Sequence, residues 1–129
     1  MIEMLRFEKE TEGKIRWDAE VDDVKFELYI PKWRVPEPWP SRIYVKIELE
    51  DPPKRSRHRH TKVDFENSPS LRTSSIVSYV ESYKERTETL RYQPLGDKNE
   101  WEIGEPYIPY SLTYDCADYL KLTVEWDLK

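Results

Sequence analysis

From Lys14 to Val21 apolar and polar residues alternate, the pattern breaks at Asp22-Asp23, and from Val24 to Ile30 it resumes. A period of two is the mark of a strand with one buried face. A two-residue loop would set Val21 opposite Val24, Ala19 opposite Phe26, Trp17 opposite Leu28 and Ile15 opposite Ile30. All four pairs then share one face, as a half-buried antiparallel hairpin requires. On the other face Glu20 meets Lys25 favourably, whereas Asp18 meets Glu27 with like charge. Asp-Asp is a weaker turn than Asn-Gly, which leaves room for a longer loop.

The same signature recurs twice. Ile43, Val45, Ile47 and Leu49 alternate with charged residues and Tyr44, and Leu120, Leu122, Val124, Trp126 and Leu128 alternate with polar residues and Tyr119. Each segment has one apolar and one wet face, the arrangement of an antiparallel sheet. Further strands are expected at residues 2–9, 62–66 and 100–103. Residues 74–91 are ambiguous. Ile76, Val80, Tyr83, Thr87 and Leu90 follow a three-four spacing that would line a helix, with Lys84 and Glu88 paired one turn apart. The same stretch is rich in Ser, Thr, Tyr and Val, which are mediocre helix formers. The expectation is an α+β fold, a twisted, mainly antiparallel sheet of about five to seven strands with one helix near residues 74–91 packed on it. An all-β barrel or sandwich is the alternative.

At 129 residues the chain has the size of one ordinary domain. The single cysteine, Cys116, excludes an internal disulfide and fits a reducing compartment. It lies in an acidic stretch, which disfavours a reactive thiolate, so a buried or inert thiol is expected. Charged residues interrupt the first eight positions and no apolar run approaches a membrane span, so the expected location is cytoplasmic, with no membrane partner. The abundance of charge and proline with few side-chain amides leans toward a heat-adapted source. Glycine occurs only at Gly13, Gly96 and Gly104, so neither a dinucleotide fingerprint nor a phosphate loop can be built. No nucleophile elbow or zinc-helix motif is present either, and the reading leans away from an enzyme, with no catalytic residue, metal or cofactor assigned.

Two segments stand out as candidate sites. The net charge is −5, yet Lys54, Arg55, Arg57, Arg59 and Lys62 fall within nine residues, together with His58 and His60. Elsewhere the chain is strongly acidic. A basic loop on an acidic body can hold phosphates or an acidic protein surface, although a charge run is more commonly a solvated connection. It contains no aromatic residue, so the stacking half of a single-strand platform is not supplied locally. His58 and His60 are two apart, but a lone pair at this spacing matches no structural zinc pattern. The second segment, residues 31–40, holds four prolines with Trp33 and Trp39 on a stiff arm. Tyr107 and Tyr110 lie in a similar stretch. These rings either form an aromatic binding surface or fold over an open end of the sheet and close the core.

The function expected from these features is binding, most simply of another protein, through the Pro/Trp arm, a sheet edge or the basic loop. Nucleic-acid binding through residues 54–62 is the first alternative. A small-ligand carrier or enzyme, with a pocket between sheet and helix lined by Trp and Tyr, is the second.

Overall fold

The computed structural model describes residues 1–9, 11–50 and 60–128. Eight strands form a closed antiparallel barrel: β1 (Ile2–Arg6), β2 (Lys14–Val21), β3 (Val24–Pro31), β4 (Arg42–Leu49), β5 (Ile76–Glu85), β6 (Thr89–Pro94), β7 (Tyr107–Pro109) and β8 (Tyr119–Trp126). Around the barrel they run β1-β2-β3-β7-β6-β5-β8-β4, and β4 returns to β1 through the pairs Ile2↔Val45 to Leu5↔Arg42. The all-β barrel is therefore the architecture, and the α+β sheet with a helix over residues 74–91 is not.

That helix is replaced by β5 and β6, paired antiparallel from Val80↔Pro94 to Glu85↔Leu90. Ile76, Ser78 and Val80 point inward on β5, as do Leu90, Tyr92 and Pro94 on β6. The three-four spacing arose because a register shift between Ser82 and Lys84, followed by a turn, interrupts the alternation. The β-branched and aromatic content of the stretch favours the pleated alternative. Residues 62–66 are not a strand either. They belong to the short helix α1 (Lys62–Asn67), started by a capping box in which Thr61 and Asp64 exchange side-chain and backbone hydrogen bonds. Residues 101–103 are irregular and follow a 3-10 turn at Lys98–Glu100.

The hairpin register is the one written in the alternation, from Val21↔Val24 to Ile15↔Ile30. Asp22 and Asp23 make the two-residue loop with φ of 51° and 63°, the double left-handed turn that suits a right-twisted hairpin. The like-charge pair Asp18↔Glu27 is relieved by Arg16, which binds Asp18 at 2.6 and 2.8 Å and reaches Glu27 at 3.5 Å. These acceptors raise the Arg16 guanidinium above its ordinary value, the hydrogen bond to Asp18 contributing most.

Eight strands enclose an interior just wide enough for side chains to fill. Trp17, Phe26, Leu28, Ile43, Val45, Val80, Tyr92, Leu122 and Val124 fill it with no exposed surface. The outer face carries charge at Arg16, Asp18, Glu27, Lys46, Glu48 and Arg91, the reverse of a membrane barrel's apolar-out, polar-in pattern. No helix among the described residues is long and apolar enough to cross a membrane.

The Pro/Trp arm closes one end of the barrel. Val35 is fully buried, Pro40 accepts a hydrogen bond from the Trp17 indole at 3.2 Å, and Arg6 donates to the Trp39 carbonyl at 2.7 Å. The thinnest seam lies between β3 and β7, which share the single pair Glu27↔Tyr107. It is extended by Gly104, whose N–H donates to the Tyr29 carbonyl at 2.7 Å. A Cβ at Gly104 would lie 3.3 Å from both the Cβ and the carbonyl oxygen of Tyr29, so a larger residue would push this connection a few tenths of an ångström away from β3.

Candidate functional site: a cationic and aromatic cleft

The seam at β3 and β7 forms the floor of a cleft of about 700 Å³ on the outside of the barrel. Because strands alternate, residues that face outward collect there: Lys14 from β2, Tyr29 from β3, Arg91 from β6 and Tyr107 from β7. One wall is Trp33 and Lys62, from the 3-10 turn Lys32–Arg34 and from α1. The β6–β7 connection adds Lys98 and Trp101 to the lining.

The walls are braced from beneath. Arg34 is 1% exposed and its guanidinium binds Glu102 at 2.6 Å, the carbonyls of Arg72 and Ser74 at 2.9 Å and that of Ser75 at 3.2 Å. Its flat face lies 4.2 Å from the Phe65 ring centroid, and Phe65 in turn packs against Trp33 at 6.0 Å and His60 at 5.8 Å. One buried cation therefore ties the Trp33 turn, α1, the start of β5 and the Trp101 connection together. Burial lowers the Arg34 pKa from its ordinary value, with Glu102 opposing that shift. A second tie is the hydrogen bond from the Lys62 backbone N–H to Glu100 at 2.8 Å, which joins α1 to the 3-10 turn bearing Lys98.

Within the cleft the cations sit beside rings. Lys62 Nζ lies 5.9 Å from the Trp33 centroid, Lys98 Nζ lies 6.0 Å from Trp101, and the Arg91 guanidinium lies 5.6 Å from Tyr107. Arg91 also forms an ion pair with Glu105. Desolvation opposes ionisation of Arg91, but Glu105 and the neighbouring phenols hold its pKa above the ordinary value. The Tyr29 phenol is raised, first by burial and then by the charge of Glu27. Among the cleft's charged residues the balance is positive: Lys14, Lys62, Arg91 and Lys98 against Glu105.

The residues singled out in the sequence are divided by the structure. Lys54, Arg55, Arg57, His58 and Arg59 lie outside the described residues. His60 is adjacent to the cleft wall, against Phe65 and 3.9 Å from Asp64, and Lys62 lines the cleft itself. Trp33 and Tyr107 meet in the cleft. Trp39 faces a smaller hollow with Arg6, Phe7 and Lys9, and Tyr110 donates to the Arg86 carbonyl at 2.6 Å beside the β5–β6 turn. The four rings therefore do not form one surface. Cys116 is exposed rather than buried, because residues 114–116 form a left-handed turn with φ of 52°, 60° and 60° that carries the chain outward.

Sequence reasoning missed Lys14, Tyr29, Arg91, Lys98 and Trp101. Lys14 and Tyr29 read as the ordinary outer face of the hairpin, and Arg91 was absorbed into the expected helix. The one local signal was Trp101, an indole in the polar, turn-rich stretch between Gly96 and Gly104. Comparison of the chain with protein-family models, with curated proteins and with solved structures found no match.

Proposed function

We propose that this is a binding protein whose ligand site is the cleft over the β3–β7 seam, and that the ligand is anionic. The observation that carries this reading is the convergence of Lys14, Lys62, Arg91 and Lys98 on one concave surface of a chain whose net charge is −5. Cations gathered in a concavity on an acidic body focus the potential there and draw an anion to it. The rings of Trp33, Trp101, Tyr29 and Tyr107 add apolar lining with orienting polar groups, as ligand sites have.

An amide NMR titration of the full chain with inorganic pyrophosphate tests the reading. Shifts are expected at Lys62 and at residues 98–105, and they are expected to be lost in a Lys62→Ala, Lys98→Ala double variant. Shifts scattered over the surface, or none, would sink it. The reading would then pass to contact with another protein, for which Leu5 and Phe7, 54% and 38% exposed on and just after β1, offer apolar surface. The described strands close into one sheet, its weakest junction being the single register pair between β3 and β7.

A further inference from the structure

Resting on the reading of the cleft as an anion site, we propose that its ligand is a single strand of nucleic acid, with bases stacking on Trp33 and Trp101 and phosphates meeting Lys62 and Lys98. The cleft sets three of its four cations beside rings. Lys62 stands 5.9 Å from Trp33, Lys98 stands 6.0 Å from Trp101 and Arg91 stands 5.6 Å from Tyr107. A ligand using both kinds of group must alternate flat rings with negative charge. A plain acidic peptide would engage the lysines and leave the indoles idle, and a neutral sugar would stack on the indoles without using the cations. A duplex presents phosphates, but its bases are stacked inside and their faces cannot reach side chains in a cleft. A single strand offers both along its length, where a free nucleotide brings one base only, and this combination of a cationic groove with aromatic platforms is how sequence-tolerant single-strand binders work.

Three further observations agree. Both indoles are partly exposed, so ring surface is left for stacking. The two wall lysines sit at the outer limit of contact with their rings, where an incoming base displaces them toward its own phosphate at little loss. The lining segments are also tied to one another, since Arg34 binds Glu102 beside Trp101 and Glu100 binds the Lys62 backbone N–H. A stacking site needs rings that do not have to be ordered at the moment of binding.

Fluorescence anisotropy with the full chain separates this proposal from the broader reading. The probes are a labelled 12-residue oligouridylate, the matching oligothymidylate, a duplex of that length, and an abasic phosphodiester oligomer carrying the same charge. One or both base-bearing single strands are expected to bind at least ten-fold tighter than the abasic oligomer and the duplex. Trp33→Ala and Trp101→Ala are expected to remove most of that preference, and Trp33→Phe, which keeps a ring, to retain it. Retention in Trp33→Phe also guards against a merely unfolded alanine variant, whose integrity circular dichroism would check. The Lys62→Ala, Lys98→Ala variant should flatten the dependence of log affinity on log salt by about 1.4, from roughly 0.7 per single-strand phosphate contact. Equal binding of abasic and base-bearing oligomers, weakened by loss of the two lysines, would overturn the nucleic-acid proposal and leave the anion site standing. No binding of any probe at low salt would overturn the nucleic-acid proposal, and the pyrophosphate titration decides the anion site separately.

Discussion

Arg34 is the residue on which the cleft depends most. A guanidinium that is 1% exposed and bonded to Glu102 and to three carbonyls cannot be replaced by a smaller group without losing all of these bonds at once. Breaking a buried pair by removing one partner costs about 3–5 kcal/mol. Arg34→Ala is therefore expected to lower stability by about that amount in urea denaturation. Arg34→Lys is expected to recover only part of it, because an ammonium has no planar fork to reach Glu102 and the carbonyls of residues 72–75 together. Lys62 and Lys98 behave differently. Their contacts with Trp33 and Trp101 near 6 Å are worth at most about 0.5–1 kcal/mol at exposed sites, less than the roughly 1–3 kcal/mol of a stacked base. Arg34 therefore belongs to the frame, whereas the two lysines are free to change partners.

At the scale of elements, the hairpin of β2 and β3 shows how far local pattern reaches. Eight consecutive register pairs follow from where the apolar residues fall, since a slip of one would turn Trp17, Phe26 and Leu28 outward. The turn is the weak point. Asp22 and Asp23 both adopt positive φ, at 51° and 63°, a region where Asn and Gly are less strained. Asp22→Asn with Asp23→Gly is expected to stabilise the protein by about 0.5–1 kcal/mol, seen as a higher melting temperature with unchanged ligand binding. The β5–β6 pair is the opposite case. Its bulge breaks the alternation, so spacing alone favoured a helix, and only its pairing with β8 and β7 makes it sheet. Tertiary pairing outweighed a local periodicity that was real but accidental.

Over the whole molecule, two phenols are shielded from water, Tyr92 inside the closed barrel and Tyr29 in part on its outer face. Tyr92 is pushed well above its ordinary value of 10, first by burial and then by the charges of Cys116 and Asp118, and Tyr29 is raised as well. In the unfolded chain both phenols lose their protons near pH 10, while in the fold they keep them. The unfolded state then binds fewer protons, and stability falls as pH rises. Stability is expected to be insensitive to these groups below about pH 9.5 and to decline above about pH 10 as the unfolded phenols titrate. Denaturation midpoints between pH 8 and 11 would show this. Tyr92→Phe should make the decline shallower, while lowering neutral-pH stability by about 1 kcal/mol through loss of its bond to the Ala117 carbonyl at 2.6 Å.

The sequence alone determined the strands whose two faces differ in polarity, because burying one face of a sheet imprints a period of two that needs no knowledge of the partner. It also marked Trp33, Lys62 and Tyr107 as unusual, and showed that charge is segregated along the chain. Only the tertiary structure decided that the sheet closes, since closure depends on β1 meeting β4 across some forty residues of chain. The cleft was decided at the same level. Lys14, Tyr29, Arg91 and Trp101 lie on four different stretches of chain, and each alone looks like ordinary exposed surface. They become a site because Gly104 lets one connection lie against β3 and because Arg34 gathers the walls, and side chains brought together from such distant positions leave no local pattern to read.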